Sequence, residues 1–103
     1  LGTIFLKQSQ ITDNKASQIG GGIVNSRGKL TLIQSTLSKN SAQSGGAFGN
    51  YHGAVLNIED STINSNYAIN GYGGGVINSQ STLNIKNSTI TLNSANLGGA
   101  ISN

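Results

Sequence analysis

The chain repeats one pattern four times, and this internal repeat constrains the fold more than any other feature. The repeats begin at Ile4, Leu30, Leu56 and Leu83, so they are spaced by 26, 26 and 27 residues. A period of this length is typical of solenoids, in which each repeat is one coil that packs only on its neighbours. We therefore expect residues 1–103 to form one solenoid domain whose function lies on its surface.

The apolar residues inside each repeat alternate with polar ones over three to five positions, as in Leu30-Thr31-Leu32. Such alternation predicts short strands. Three strands per repeat, joined by turns rich in Gly, Asn and Ser, match one coil of a parallel β-helix. The predicted fold class is all-β: a single-stranded parallel β-helix of about four coils. Four apolar columns should face inward: Ile4, Leu30, Leu56, Leu83; Leu6, Leu32, Ile58, Ile85; Ile11, Leu37, Ile63, Ile90; and Ile23, Phe48, Val76, Ile101.

Two columns of asparagine recur in the same register. They are Asn14, Asn40, Asn66 and Asn93, and Asn25, Asn50, Asn78 and Asn103. Because asparagine in a turn adopts left-handed dihedrals and bonds backbone groups through its side chain, we expect both columns to form ladders at coil corners. A residue that recurs in every coil meets a need of every coil, so the predicted role is structural.

The composition excludes several classes of function. The chain has no cysteine, which excludes disulfides and thiolate metal sites, and no metal or other cofactor is expected. Its six basic residues are scattered, and only Arg27 and Lys29 lie close together, so no footprint for nucleic acid is present. No apolar run approaches the roughly 18 residues of a membrane span, so direct membrane insertion is not expected. The lack of cysteine suits a chain that crosses a periplasm.

The glycine motifs resemble those of a known family. Gly98–Ile101 reads Gly-Gly-Ala-Ile, Gly45–Phe48 reads Gly-Gly-Ala-Phe, and an aliphatic residue is followed by x-x-Asn-x-Ala in each repeat. Over the whole chain this resembles the GGA[ILV] and FxxN repeats of the polymorphic outer-membrane proteins first described in chlamydiae. Aliphatic residues stand where that family favours Phe: Ile11, Leu37, Ile63 and Ile90. The resemblance implies a right-handed β-helix at the cell surface or outside the cell, as an adhesin or autotransporter passenger.

Parallel β-helices also include pectate lyases and other polysaccharide-cleaving enzymes, so an enzyme fragment of that kind is the alternative. Glycoside hydrolysis needs two carboxyl groups about 5 to 9.5 Å apart. The only acidic residues are Asp13, Glu59 and Asp60; the last two are adjacent and should face opposite ways, and Asp13 lies two coils away. The single histidine, His52, has no expected Ser, Cys or carboxylate partner in register. No catalytic residue is therefore predicted.

The irregular parts of the repeat are the best candidates for binding. The loop Asn50–Ala54 gains one residue, and the turn Tyr67–Gly73 gains two. Insertions in solenoids map to loops and often carry function. Their candidate binding residues are Tyr51, His52, Tyr67 and Tyr72. Aromatic rings there suit a glycan or a protein receptor, whereas the favoured interpretation of Tyr67 and Tyr72 is that they cover a long turn.

A rank of small polar residues flanks the third apolar column and suggests a further alternative. Such Thr-x-Thr ranks resemble the ice-binding faces of β-helical antifreeze proteins, but only Thr89-Ile90-Thr91 has threonine on both sides. At the chain ends, Leu1-Gly2 aligns with Arg27-Gly28, and Asn103 stops at the same corner, with no capping segment. Solenoids need caps to shield their ends. The segment is thus expected to continue into a longer solenoid or to associate end to end.

Overall fold

The structure, a computed structural model, describes residues 2–103 as a stack of about four coils built from short parallel strands and turns. The all-β solenoid predicted from the repeat is confirmed, and its coils are spaced by about 26 residues. The predicted alignment of Leu1 lies outside the described residues. Within residues 2–103 no helix is long and apolar enough to cross a membrane.

The strands form four parallel sheets that run along the stack. Sheet 1 contains β1 (Thr3–Lys7), β4 (Lys29–Ile33), β8 (Val55–Glu59) and β12 (Thr82–Lys86). Sheet 2 contains β2 (Gln10–Thr12), β5 (Thr36–Ser38), β9 (Thr62–Asn64) and β13 (Thr89–Thr91). Sheet 3 contains β6 (Ser41–Ala42), β10 (Tyr67–Tyr72) and β14 (Ser94–Leu97). Sheet 4 contains β3 (Ile23–Ser26), β7 (Phe48–Tyr51), β11 (Val76–Ser79) and β15 (Ile101–Ser102).

The expectation of three strands per coil was wrong, because sheet 3 adds a fourth strand to each of the last three coils. Its inward residues are small: Ala42 and Ala68 are fully buried. Alanine lacks the bulk and β-branching that mark a strand in a sequence. Sheet 3 is therefore built from strands that the residue types in the sequence do not predict.

The four apolar columns face inward in the predicted register, with Leu37 paired to Ile63 and Phe48 to Val76 on neighbouring strands. The middle two coils bury these side chains completely. Side chains of the same columns are partly exposed in the first and last coils, where Ile4 is 58% exposed. Each coil thus depends on the coils on either side to cover its apolar residues.

Both asparagine ladders form. In the first, Asn66 Oδ1 accepts from the backbone N–H of Asn40 at 2.9 Å and from its side-chain amide at 3.0 Å. In the second, Asn50 Nδ2 donates to Asn78 Oδ1 at 2.8 Å and to a backbone oxygen at 3.1 Å. The left-handed dihedrals fall on neighbouring residues, such as Lys39 (φ 57°) just before Asn40. The turn at that neighbour leaves the asparagine side chain free to point inward and bond the next coil.

A third ladder was not predicted. The backbone N–H of Ser35 donates to Ser61 Oγ, and that of Ser61 donates to Ser88 Oγ, both at 3.1 Å. Each hydroxyl also donates to the carbonyl two residues earlier, as Ser35 does to Ile33 at 2.8 Å. Serine thus satisfies backbone groups at the corner between sheets 1 and 2.

Close stacking of the coils leads to a prediction at Gly46. A Cβ added there would collide with the Gly74 carbonyl oxygen and would lie 2.6 Å from the Tyr67 nitrogen, and both atoms belong to the backbone. We expect Gly46→Ala to destabilise the chain by about 1 to 3 kcal/mol in a denaturant titration, because backbone cannot move aside cheaply. Gly2→Ala is the control, since nothing lies within 4 Å of its added Cβ. Equal unfolding midpoints for the two variants would contradict the stacking.

Candidate functional site

The first break in the repeat is the corner between β7 and β8. Tyr51 ends β7, and His52 and Gly53 form the turn with φ of 60° and 76°. The turn is closed by Ala54, whose N–H donates to the Tyr51 carbonyl at 3.3 Å. Successive left-handed residues allow the extra residue to be accommodated without disturbing the strands on either side.

Tyr51 has a role in covering the outer face of sheet 4. A Cβ added to Gly49 would lie 2.7 Å from the Tyr51 ring, and the Ile19 side chain is also close to that position. The ring therefore lies over the glycine backbone and is half-buried. Desolvation by burial raises the pKa of the Tyr51 hydroxyl above its ordinary value of 10.0. The phenol stays protonated near neutral pH and remains available as a hydrogen-bond donor.

His52 is exposed and has a partner that the sequence did not indicate. Its Nδ1 lies 3.1 Å from the Ser26 hydroxyl, which belongs to the coil before. Its ring centroid lies 6.0 Å from that of Tyr51 at an interplanar angle of 43°. The expectation that His52 lacks a serine in register was therefore wrong. Within residues 2–103 no other side chain hydrogen-bonds His52, so the contact lacks the third group that orients the base in a catalytic triad.

The second break is β10, and here the expected long turn is a strand of six residues. Tyr67 pairs with Ser41 on one side and Ser94 on the other, and Tyr72 pairs with Leu97. The register shifts between Ala68 and Tyr72, which absorbs the two inserted residues. The buried residues of β10, Ala68 and Gly71, are three positions apart, so the alternation of faces is broken at this irregularity, and pairing resumes at Tyr72. Sheet 3 therefore continues past the insertion.

Tyr67 and Tyr72 both lie on the outer face of sheet 3, 42% and 48% exposed. They occupy the two ends of β10, and among residues 2–103 the one close ring pair is the Tyr51–His52 pair at the other break. Backbone bonds hold the Tyr72 end, where its N–H donates to Ser44 Oγ at 3.3 Å and its carbonyl accepts from Gly45 at 2.9 Å. The two rings are thus separate contacts at the two ends of one strand, not one stacked platform.

A shallow hollow adjoins Tyr72 and lies over Ser79 and Gln80 of the third coil, next to Ser102. In the preceding coil the equivalent corner is covered, since Tyr51 pairs with Ser79 and the Gly53 N–H donates to the Gln80 carbonyl. The hollow is therefore the open face of the stack at the last described coil, and it is not counted as a binding site.

The three acidic residues occupy different positions in the coil. Glu59 faces outward on β8 beside Lys86 on β12, whereas Asp60 occupies the left-handed corner that follows. Asp13 lies at a different corner, with φ of 59°. Among residues 2–103 no three His, Cys, Asp or Glu side chains gather in a group that could hold a metal ion.

The outer face of sheet 2 carries the rank of small polar residues. Thr36, Thr62 and Thr89 are in register on neighbouring strands, and Ser38, Asn64 and Thr91 form the second row. The second row therefore changes residue type from coil to coil. Only the last coil presents threonine in both rows.

No family model matches the chain, and neither a curated protein nor a solved structure is similar enough to count as a match.

Proposed function

We propose that the chain is a non-enzymatic structural and adhesive segment of a cell-surface or extracellular protein, as a passenger or stalk. One observation carries the proposal. Every buried side-chain nitrogen and oxygen in residues 2–103 has a hydrogen-bond partner within the chain. The buried polar groups are therefore all used to hold the fold together, and none is left to bind a substrate. The candidate aromatic residues Tyr67 and Tyr72, in contrast, are exposed on strand β10. A fully bonded interior together with exposed aromatic residues is the combination expected of a scaffold that presents a contact surface.

A neutral glycan is the receptor that fits this surface best. Strands β6, β10 and β14 carry no charged residue, and Asn70 is exposed on β10 between the two tyrosines. Sugar rings present apolar faces to aromatic side chains and hydroxyls to neutral polar groups. Similarity of the glycine motifs to those of polymorphic outer-membrane proteins supports a place at the cell surface, as an expectation from the resemblance.

We expect the double variant Tyr67→Ala, Tyr72→Ala to lower adhesion at least about tenfold, because two exposed aromatic anchors would be lost. Cells that display the chain would be tested on target cells and on glycan arrays. The matched control is Ser41→Ala, Ser94→Ala, which changes the positions paired with Tyr67 in the neighbouring coils. Unfolding midpoints should stay near wild type for both.

Adhesion of the tyrosine variant equal to wild type would reject the aromatic site and favour a spacer role. Binding to target cells that survives removal of their glycans would identify a protein receptor instead. Loss of adhesion in the serine control alone would reject the tyrosines and place the contact at Ser41 and Ser94 on the same face of sheet 3.

The open ends of the stack support a further part of the proposal, which is that the solenoid continues through added coils or through a second copy. Backbone groups of β12 pair with β8 on one side only, and Ile85 on that strand is 39% exposed. An unpaired strand edge with a partly exposed apolar column accepts another strand of the same period. Sedimentation of the purified chain as a monomer at all concentrations would contradict association between copies.

A polysaccharide-active enzyme is the alternative, and the contact between Ser26 and His52 is the observation that favours it. Release of soluble sugars from plant or bacterial polysaccharides that disappears in His52→Ala would establish an enzyme. The ice-binding alternative rests on the threonine rows of sheet 2 alone, and thermal hysteresis of the purified chain would reveal it.

A further inference from the structure

The corner between β12 and β13 carries a motif that none of the ladders uses. Asn87-Ser88-Thr89 is the one place in the sequence where an asparagine is followed two residues later by serine or threonine. An exposed Asn-x-Thr of this kind, with no proline between, is the acceptor motif for an N-linked sugar.

The geometry leaves the two recognised side chains of the motif free. Asn87 has φ of 48° and is exposed, and its side-chain amide makes no hydrogen bond within residues 2–103. Thr89 begins β13 with its side chain outward and exposed, while its backbone N–H donates to the Ser61 carbonyl at 2.9 Å. The serine between them is committed to the third ladder, since its hydroxyl donates to the Lys86 carbonyl at 2.9 Å. The middle residue thus anchors the turn, and the outer two face solvent.

The same corner in the other coils shows that the fold does not require asparagine here. The equivalent positions are Gln8, Gln34 and Asp60, with φ of 52°, 50° and 49°. Each is followed by a serine of the third ladder, and the positions of Thr36, Thr62 and Thr89 are in register. A left-handed position tolerates asparagine well, but here glutamine and aspartate serve equally. Asn87 thus differs from the equivalent residues of the other coils in that only its side chain can accept an N-linked sugar.

We propose that Asn87 is an acceptor for an N-linked glycan. In the reaction a C–N bond forms between Asn87 Nδ2 and the anomeric carbon of a sugar, and the bond from that carbon to the diphosphate of an activated donor breaks. The diphosphate departs with the bonding electrons, and one proton leaves Nδ2. The inference rests on the export part of the proposed function, because the chain must meet the donor and its transferase.

The attached glycan would lie away from the candidate adhesive surface. Asn87 is at the corner between sheets 1 and 2, whereas Tyr67 and Tyr72 are on sheet 3. Adhesion and glycosylation are therefore separable by mutation.

The test is to secrete the full chain behind a cleavable leader from a cell that performs N-glycosylation, and to measure intact mass before and after peptide-N-glycosidase. We expect one glycan on the wild type, with Asn87 converted to aspartate on release, and none on Asn87→Gln or Thr89→Ala. Glutamine occupies the same turn in two other coils, so Asn87→Gln should fold normally. Asp60→Asn is the matched variant that adds a second acceptor motif, because Ser61-Thr62 already follows position 60 in the same turn. This variant should carry a second glycan.

An unmodified wild type would overturn the proposal, whether or not Asp60→Asn is modified. A glycan that persists on Asn87→Gln would overturn it as well. The leader supplies export, so the mass readout does not depend on adhesion. Glycosylated chain that fails to adhere would therefore reject the proposed function and leave the acceptor site standing.

Discussion

Replacing Leu37 by Asp is expected to leave the chain largely unfolded at 25 °C. Leu37 is fully buried between Ile11 and Ile63 on the neighbouring coils. The variant loses about 1.5 to 3 kcal/mol of apolar burial. It also buries a carboxylate with no partner, which costs several kcal/mol more or forces the group to take up a proton. The total loss approaches the whole free energy of unfolding of a small domain, which is roughly 5 to 15 kcal/mol. Far-UV circular dichroism against temperature measures the loss.

Ser38→Asp is the control for this prediction. Ser38 follows Leu37 on β5 and faces outward, with Thr12 and Asn64 beside it in register. We expect its midpoint to stay close to wild type, because surface changes usually alter stability by less than about 0.5 kcal/mol. Ile63→Asp should behave as Leu37→Asp does. A normal melting curve for either core variant would show that this column does not face the interior.

The second large effect is expected for Asn66→Ala, which removes a fully buried side chain with four hydrogen bonds. The change would remove the acceptor of the Asn40 backbone N–H and the side-chain donor to the Leu37 carbonyl, and it would open a cavity in the ladder. The Asn40 amide keeps its bond to the Ile11 carbonyl, and Asn93 Oδ1 keeps its bond from the Asn66 backbone N–H. Each buried polar group left unsatisfied costs about 1 to 3 kcal/mol. We expect a loss of at least about 3 kcal/mol in the free energy of unfolding, measured by denaturant titration.

Two control substitutions show how much of the stability loss comes from the buried ladder and how much from losing any asparagine side chain. Asn84→Ala removes an exposed side chain whose amide donates to Asn57 at 2.8 Å on the outer face of sheet 1. Asn14→Ala removes the exposed first member of the same ladder as Asn66. Both should cost about 1 kcal/mol or less. Equal losses in all three variants would mean that burial within the ladder has no special weight.

The inward columns could be predicted because a solenoid applies one rule to every coil. Strand side chains alternate with a period of two, so once Leu30 and Leu32 are placed inward the positions of Leu56 and Ile58 follow from the repeat length. The asparagine ladders followed in the same way. The fourth strand did not, since its inward Ala42 and Ala68 carry no apolar signal beyond a single methyl group.

The candidate site was harder to predict because it lies at the two insertions, where the repeat no longer fixes the position of each residue. The length of an insertion alone suggests a turn, but the two residues added before Tyr72 extend β10 as a strand with an irregular register. The contact of His52 with Ser26 depends on where a left-handed turn directs the ring, which no pattern of residue types specifies. Sequence therefore located both breaks of the repeat and missed the local geometry of each.

The central claim is that the asparagine ladders lie buried inside the stack and join each coil to the next. Exchange of asparagine side-chain amide protons with deuterium, followed by NMR, tests this most directly. We expect the amides of Asn40, Asn50 and Asn66, all fully buried, to exchange orders of magnitude more slowly than those of the exposed Asn70 and Asn96. Exchange at similar rates in the two groups, or slower exchange in the second, would contradict the claim.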